Sequence, residues 1–332
     1  MNHKKILIIG GGGFIGHNLA LQIIKRGGNV EIIDSLEVNN YTSVLSNRDN
    51  LPFPDLSLKI LDQRLFLLKE NKIPLHVIDA RNYHALSHKI DEIKPKIIIH
   101  LAAVSHANRS NKDPHSTFDH SLRTLENALD NSKNKIDHFI YFSSSMVYGN
   151  FKSGQVDEET ICNPLGIYGA LKYSGEKMVI AYNQVFGLPY TIIRPSALYG
   201  ERCISRRVGQ IFIENAINNL KIKINGDGSE KLDFTYIKDL VEGIITVIEN
   251  KKSHNEIFNL TYGSARPISD LVEILYGFFP KIEIEKVQKD ILMPERGTLS
   301  NDKIKDLLGF KSSWSIDRGY RNYIEWYLNL KD

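Results

Sequence analysis

Short apolar runs rich in β-branched residues recur along the chain at positions 6–9, 30–33, 75–78, 97–101, 139–142 and 191–193. Hydrophobicity that is continuous rather than alternating marks strands buried on both faces, and each gap is long enough for a crossover helix. The pattern predicts an α/β fold with a doubly wound parallel sheet. One crossover is unusually long. Between Asp34 and Leu75 the chain carries a loop-like stretch at 47–54, then a helical pattern from about Leu56 to Glu70 that ends before Pro74. After Arg194 the pattern loosens into short mixed elements, with a helix expected over 270–279 and Ser269 as its cap. These shifts predict a larger domain over 1–193, to which 235–260 returns, and a smaller α/β substrate-binding region formed by 194–234 and 261–332.

Composition narrows the partners. The chain has 332 residues, a formal net charge of +3 and no basic run long enough to follow a nucleic-acid backbone, so a bound anion should be small. Its two cysteines, Cys162 and Cys203, lack metal-ligand spacing, and no metal is expected. Met-Asn-His-Lys-Lys leads straight into the first apolar run. No run approaches the ~20 apolar residues of a spanning helix. The expectation is a cytoplasmic protein without a membrane partner.

The first strand runs into Gly10-Gly11-Gly12-Gly13-Phe14-Ile15-Gly16, followed by a helical pattern. Glycine there allows a tight turn and close approach of a pyrophosphate to the amides and positive dipole end of the helix. Two registers are possible, through Gly10, Gly13 and Gly16 or through Gly11, Gly13 and Gly16. Asp34 closes the second strand, where a carboxylate accepts from both adenosine ribose hydroxyls and repels a 2′-phosphate. This context points to a Rossmann-type domain that binds NAD rather than NADP. Asp79, after the third run, either contacts the adenine or makes a strand-end turn.

Tyr168 and Lys172 stand four apart, on one face of a predicted helix. An ammonium one turn from a phenol lowers its pKa, which suits the phenol to proton transfer near neutral pH. The run Ser143-Ser144-Ser145-Met146-Val147-Tyr148-Gly149 follows the fifth strand and can bring a serine hydroxyl beside that phenol.

Several segments in this order resemble the extended short-chain dehydrogenase/reductases of the NAD-dependent nucleotide-sugar epimerase/dehydratase family. They are Gly10 to Gly16, His100-Leu101-Ala102-Ala103, Ser143 to Gly149, Tyr168 to Lys172, Arg194-Pro195-Ser196-Ala197-Leu198-Tyr199-Gly200, Gly226-Asp227-Gly228-Ser229 with Asp233-Phe234-Thr235-Tyr236, and the closing Leu308-Gly309-Phe310 and Glu325-Trp326-Tyr327. The resemblance implies Tyr168 as general base, Lys172 as its partner and a nicotinamide-ribose ligand, and Ser144 as the hydroxyl holding the reacting oxygen. It implies a cofactor site of Gly10, Gly13, Phe14, Ile15, Gly16, Asp34, Asp79, Ala80, Leu101, Ala102 and Ala103 along with Tyr168 and Lys172. A homodimer built through helices of the Rossmann domain is also implied.

The implied reaction removes the proton of a sugar hydroxyl, commonly that on C4, as hydride passes to the nicotinamide, leaving a keto sugar. Return of the hydride to the opposite face gives an epimer; loss of water first gives a dehydratase. Dehydratases of the 4,6 type follow the hydroxyl residue with an Asp-Glu pair, where this chain has Ser145 and Met146. Epimerase is therefore the leading expectation, dehydratase the second, and a non-catalytic NAD-binding regulator a third that intact Ser144, Tyr168 and Lys172 oppose.

For a nucleotide-diphosphate sugar the resemblance calls for arginines on the phosphates, since a guanidinium fork matches their oxygens. Arg296 fits one such position. For the other, Lys231 or the loop residues Arg202, Arg206 and Arg207 are available. Ser105 and His106 follow a strand end and are candidate sugar contacts, as are Ser145 and Met146. Ala197 and His120 stand where relatives often carry asparagines. The 39–72 insertion is expected as a lid or sugar-side wall, and the aromatic tail from Trp314 to Tyr327 as core.

Overall fold

The structure is a computed structural model that describes residues 4–104, 107–152, 154–288 and 294–331. Its centre is a seven-stranded sheet of β1 (Lys5–Ile9), β2 (Asn29–Asp34), β3 (Leu75–Val77), β4 (Ile97–His100), β5 (His138–Phe142), β6 (Tyr190–Arg194) and β7 (Glu256–Asn259). Across the sheet they run β3, β2, β1, β4, β5, β6, β7, and every neighbouring pair is parallel. The six apolar runs become β1 to β6. β7 reads Glu-Ile-Phe-Asn, so its polar ends conceal it from a hydrophobicity pattern; it pairs with β6, Phe258 opposite Ile193.

Consecutive strand residues feed opposite cores, as continuous hydrophobicity requires. Ile6, Ile8, Ile97, Ile99 and Ile193 pack on one face; Leu7, Ile9, Ile98 and Ile192 pack on the other. The edge strand β3 differs, with Val77 exposed.

The principal helices are α1 (Phe14–Lys25), α2 (Pro54–Glu70), α3 (Tyr83–Ile93), α4 (Thr124–Ser132), α5 (Gly166–Phe186), α6 (Val208–Ile217), α7 (Ile237–Glu249), α8 (Ile268–Tyr276) and α9 (Ile316–Lys331). Leu19 of α1, Ile60 of α2 and Ile244 of α7 cover the first face, and this core continues through Phe212, Leu271 and Tyr320 into α6, α8 and α9. Leu86, Leu125 and Val179 bring α3, α4 and α5 onto the second face. The aromatic tail is core: Tyr320, Tyr323 and Tyr327 are buried.

Two helix starts differ from expectation. α2 begins at Pro54 rather than near Leu56, because proline suits the first helical turn, where its missing N–H has no partner to lose. α8 begins at Ile268 with Pro267 as its cap and no capping side chain, while the Ser269 amide donates to the Gly228 carbonyl at 3.0 Å.

The carboxyl end of the sheet is locked by a buried ion pair. Arg194, at the end of β6, donates through Nε and Nη2 to the two carboxylate oxygens of Glu176 on α5 at 2.9 and 2.7 Å, and through Nη1 to the Tyr148 hydroxyl at 2.9 Å. Ser143 Oγ also donates to Glu176, and the Tyr148 hydroxyl donates to Asn259 Oδ1 of β7 at 2.8 Å. Removing one partner of such a pair strands the other charge, at about 3–5 kcal/mol. Glu176→Gln preserves shape but not charge, and equilibrium urea unfolding should register a loss of that size. A change within experimental error would show that the pair does not hold this end together.

Candidate active site

Two adjoining clefts open at the carboxyl ends of the strands, where ligands of open parallel sheets bind. The smaller is lined by Gly10, Gly13, Phe14, Ile15, Gly16, Asp34, Asp79, Ala80, Leu101, Ala102 and Ala103, which the sequence scatters over more than ninety positions. Gly10 turns the chain at φ +83°, and a Cβ there would lie 2.5 Å from the Ala102 nitrogen. A Cβ on Gly16 would meet Gly11 Cα at 2.4 Å, so this glycine lets α1 close onto the turn. Gly13 is the N-cap of α1 and brings no capping side chain, which leaves the helix N-terminus to a ligand anion. Gly11 is confined as well, since a Cβ there would lie 2.6 Å from Ile32 Cγ2, so both glycine registers have packing reasons for their residues.

Asp34 accepts from the Gly12 amide at 2.9 Å and the Leu36 amide at 2.7 Å. Burial pushes its pKa up, opposed by these two N–H groups and by Arg64. A carboxylate so oriented suits the ribose hydroxyls of NAD, and the glycine turn at the helix N-terminus suits its pyrophosphate. Asp79 serves a turn, accepting from the Arg81 amide at 2.8 Å, and also borders the cleft. His120 borders it too, with Nδ1 2.8 Å from the Ser116 carbonyl and Nε2 3.1 Å from Glu37.

Sequence reasoning missed Arg64. This buried arginine of α2 donates through Nε to the Arg202 carbonyl at 2.9 Å and through Nη1 to the Gly12 carbonyl at 3.4 Å, and Asn40 Nδ2 reaches the same Gly12 oxygen at 3.2 Å. The signal was present: Ile60, Leu61, Arg64 and Leu68 form the buried stripe of α2, and a charge in an apolar stripe needs a partner. The 39–72 insertion is accordingly no sugar-side wall. Its apolar stripe draws it onto the α1 face, so it borders the smaller cleft through Asn39 and Arg64 and lines none of the larger one.

The larger cleft, about 1170 Å³, meets the smaller along Ile15, Leu101, Ala103, Leu198 and Arg207. Ser144, Ser145, Met146, Tyr168, Lys172, Arg207 and Arg296 all line it. Ser144 caps the short turn Ser145–Tyr148, accepting from the Met146 amide at 3.2 Å, and its hydroxyl bonds the Tyr168 phenol. Lys172 and Glu176 follow Tyr168 at successive turns of α5. Lys172 Nζ donates to the Phe142 carbonyl at 2.7 Å, and burial pushes its pKa down to about 8 against the pull of Glu176. Burial raises the Tyr168 pKa. The groups opposing that rise are Arg207, the Ser144 hydroxyl and Arg296, so the expected direct lowering by Lys172 is not what this protein alone displays.

Other expectations are redistributed. Arg202 turns away from the substrate side: Nε donates to His17 Nε2 at 2.9 Å and Nη2 to Asn18 Oδ1 at 2.8 Å, both on α1, and it borders neither cleft. Arg206 pairs with Glu214 at 2.7 Å. Arg296 donates to Ser145 Oγ and to Met146 Sδ, and its guanidinium lies 5.0 Å from the centre of the Phe151 ring. Ala197 holds φ +38°, a left-handed value that asparagine tolerates better than alanine. Ser105 and His106 lie outside the described residues.

A glycine turn at an uncapped helix N-terminus, an aspartate at its rim and a Ser-Tyr-Lys set across a shared boundary are the features of a nucleotide-dependent short-chain dehydrogenase/reductase. Residues 6–261 match the NAD dependent epimerase/dehydratase family, and the chain belongs to it. The Staphylococcus aureus protein CapI is 29% identical, covering 98% of each chain. UDP-glucuronate 4-epimerase 4 of Arabidopsis thaliana is 26% identical over 99% of this chain and 76% of that protein. In structure, the UDP-glucuronic acid 4-epimerase of Bacillus cereus, solved with UDP-glucuronic acid and NAD, superposes with a TM-score of 0.86 at 25% identity, covering 98% of this chain and 99% of that one. The protein is an NAD-dependent enzyme of this family.

Two substitutions test the cofactor side. Asp34→Ala should weaken NAD roughly 10- to 100-fold, as loss of a charged hydrogen-bond acceptor implies, and narrow the preference for NAD over NADP; calorimetric titration of both nucleotides checks it. Arg64→Met should cost about 1–3 kcal/mol in urea unfolding by leaving the Gly12 and Arg202 carbonyls short of partners, with a parallel loss of NAD affinity.

Proposed function

We propose that the protein is a UDP-sugar epimerase that inverts one ring carbon through a transient keto sugar. Residues 1–193 with 235–260 carry the cofactor, and 194–234 with 261–332 enclose the sugar nucleotide. Val208 and Phe212 of α6 and Ile268 and Leu271 of α8, all bordering the larger cleft, support that division. Gly10, Gly13, Gly16 and Asp34 hold NAD, with Lys172 on its nicotinamide ribose. When bound, NAD supplies reversible hydride transfer with the sugar carbon. Ser144 holds the hydroxyl on that carbon while Tyr168 removes its proton, and Tyr168 returns the proton to the same oxygen when the carbon is reduced again. Arg207 and Arg296 favour the phenolate that this exchange requires. Inversion needs the keto sugar to present its other face, and a cleft of about 1170 Å³ leaves room for the turn.

One observation carries the choice of epimerase over dehydratase. Elimination of water requires an acid and a base beside the ring, and the two positions after Ser144 offer only a hydroxyl and a thioether, both engaged by Arg296. The UDP nucleotide rests on the relatives named as UDP-sugar epimerases.

The test is incubation with UDP-glucose, UDP-N-acetylglucosamine and UDP-glucuronate, read by NMR and mass spectrometry. Changed ring couplings at constant mass are expected; loss of the mass of one water would convert the reading to a dehydratase. Tyr168→Phe should reduce turnover roughly 10²-fold or more while NAD still binds, and near-native turnover would remove Tyr168 from the proton transfer.

A further inference from the structure

Tyr168 is the third residue of α5, and the N-cap of that helix, Leu165, brings no capping side chain. The leading N–H groups of a helix have no intrahelical acceptor, so the turn that carries the phenol is the part of α5 most ready to fray. The contacts that fix α5 act further along it. Lys172 Nζ donates to the Phe142 carbonyl, and Glu176 pairs with Arg194, one and two turns beyond Tyr168. What the first turn lacks comes from a different segment. Asn111, in the short helical stretch Ala107–Lys112 that follows β4, accepts through Oδ1 from the Ile167 amide at 3.2 Å.

Two glycines fit the turn to this arrangement. Gly166 holds φ +70°, and a Cβ there would lie 3.2 Å from Asn111 Oδ1, so glycine leaves room for the side chain over the start of the helix. A Cβ on Gly169 would lie 2.8 Å from the Met146 carbonyl, which sets the same turn close against the segment of Ser144. Asn111 is exposed and borders the larger cleft together with Gly166 and Tyr168. An exposed asparagine buries little apolar surface, so what this position supplies is the acceptor. Fraying of the turn would draw the phenol away from the Ser144 hydroxyl that it bonds, and a small misplacement of a reacting group is costly to turnover. Resting on Tyr168 as the proton-transfer group of the epimerase reading, we propose that Asn111 is a positioning residue: it caps α5 from outside the helix and so holds the Tyr168 phenol against Ser144 and the sugar hydroxyl.

The test pairs turnover with a measurement that needs none. Hydrogen–deuterium exchange of NAD-loaded protein, read by mass spectrometry, follows the amides of residues 166–169, and kinetics with the UDP-sugar that the protein epimerises gives kcat and KM. Asn111→Ala should quicken that exchange and lower kcat, each about 3- to 30-fold, the weight of one lost N-cap, with NAD affinity unchanged. Asn111→Asp keeps an acceptor oxygen for the Ile167 amide and should recover most of both, while its charge beside an anionic ligand shows in KM. Native exchange or native kcat in Asn111→Ala would overturn the proposal. So would a rise in KM alone, which would make Asn111 a ligand contact, or an Asp variant as slow in kcat as the Ala variant. Faster exchange in Asn111→Ala, reversed in Asn111→Asp, in a protein that epimerises no sugar would uphold Asn111 as the cap of the Tyr168 turn and overturn only the epimerase reading.

Discussion

The ion pair between Arg194 and Glu176 joins the segments that carry Ser144, Tyr168 and Lys172. Glu176 is one turn beyond Lys172 and two beyond Tyr168 on α5, so fixing the carboxylate fixes the helix face that presents the phenol. The same carboxylate receives Ser143 Oγ, the residue before Ser144, and the arginine continues through Tyr148 to Asn259 on β7. With the side chains of Arg194 and Glu176 only 3% and 1% exposed, neither can exchange its partner for water. Such a pair adds little net stability over an apolar substitute. Its consequence is positional: together with the close approach of Gly169 to the Met146 carbonyl, it sets the two segments at the separation that the Ser144–Tyr168 bond needs.

The electrostatics of the cleft follow from what that lock consumes. Arg194 takes both oxygens of Glu176, so the carboxylate's remaining pull on Lys172 is weaker than burial, and the lysine pKa falls to about 8. Tyr168 is left between a burial penalty and two guanidiniums, Arg207 and Arg296. In a cleft of low polarity these charges act strongly. An anion that occupies these arginines would remove their support for the phenolate, so in the proposed reaction proton transfer at Tyr168 is coupled to the charge of the ligand.

How much of this the sequence disclosed depended on whether the signal was local. Strands buried on both faces announce themselves as unbroken apolar runs, and the glycine turn declares itself by lying between a strand and a helix. β7 escapes because backbone pairing, not side-chain pattern, makes Glu256–Asn259 a strand. The arginines of the 200–207 loop were indistinguishable in sequence. Positive φ at Arg202 and Arg206 divides them, sending Arg202 to α1 and Arg206 to Glu214, while Arg207 reaches both clefts. Arg296, which the resemblance implies for the phosphates, lines the larger cleft against Ser145 and Met146, neighbours that its place in the chain did not indicate. Side-chain direction in loops is set by long-range packing, which spacing does not encode.

Arg64 gives the 39–72 insertion a physical rationale that length alone did not suggest. The glycine turn needs flexible residues to admit a pyrophosphate, and flexible residues cost conformational entropy to hold in one shape. Arg64 and Asn40 fasten the carbonyl of Gly12 from outside the turn, leaving its amide edge facing Asp34. The same guanidinium holds the Arg202 carbonyl, at the start of the loop that delivers Arg207 to the boundary between the clefts. One buried arginine thus joins the glycine turn of the smaller cleft to the loop at its boundary with the larger one. A displacement of either strains a shared anchor, so a ligand that ordered the turn would also restrain the loop that carries Arg207.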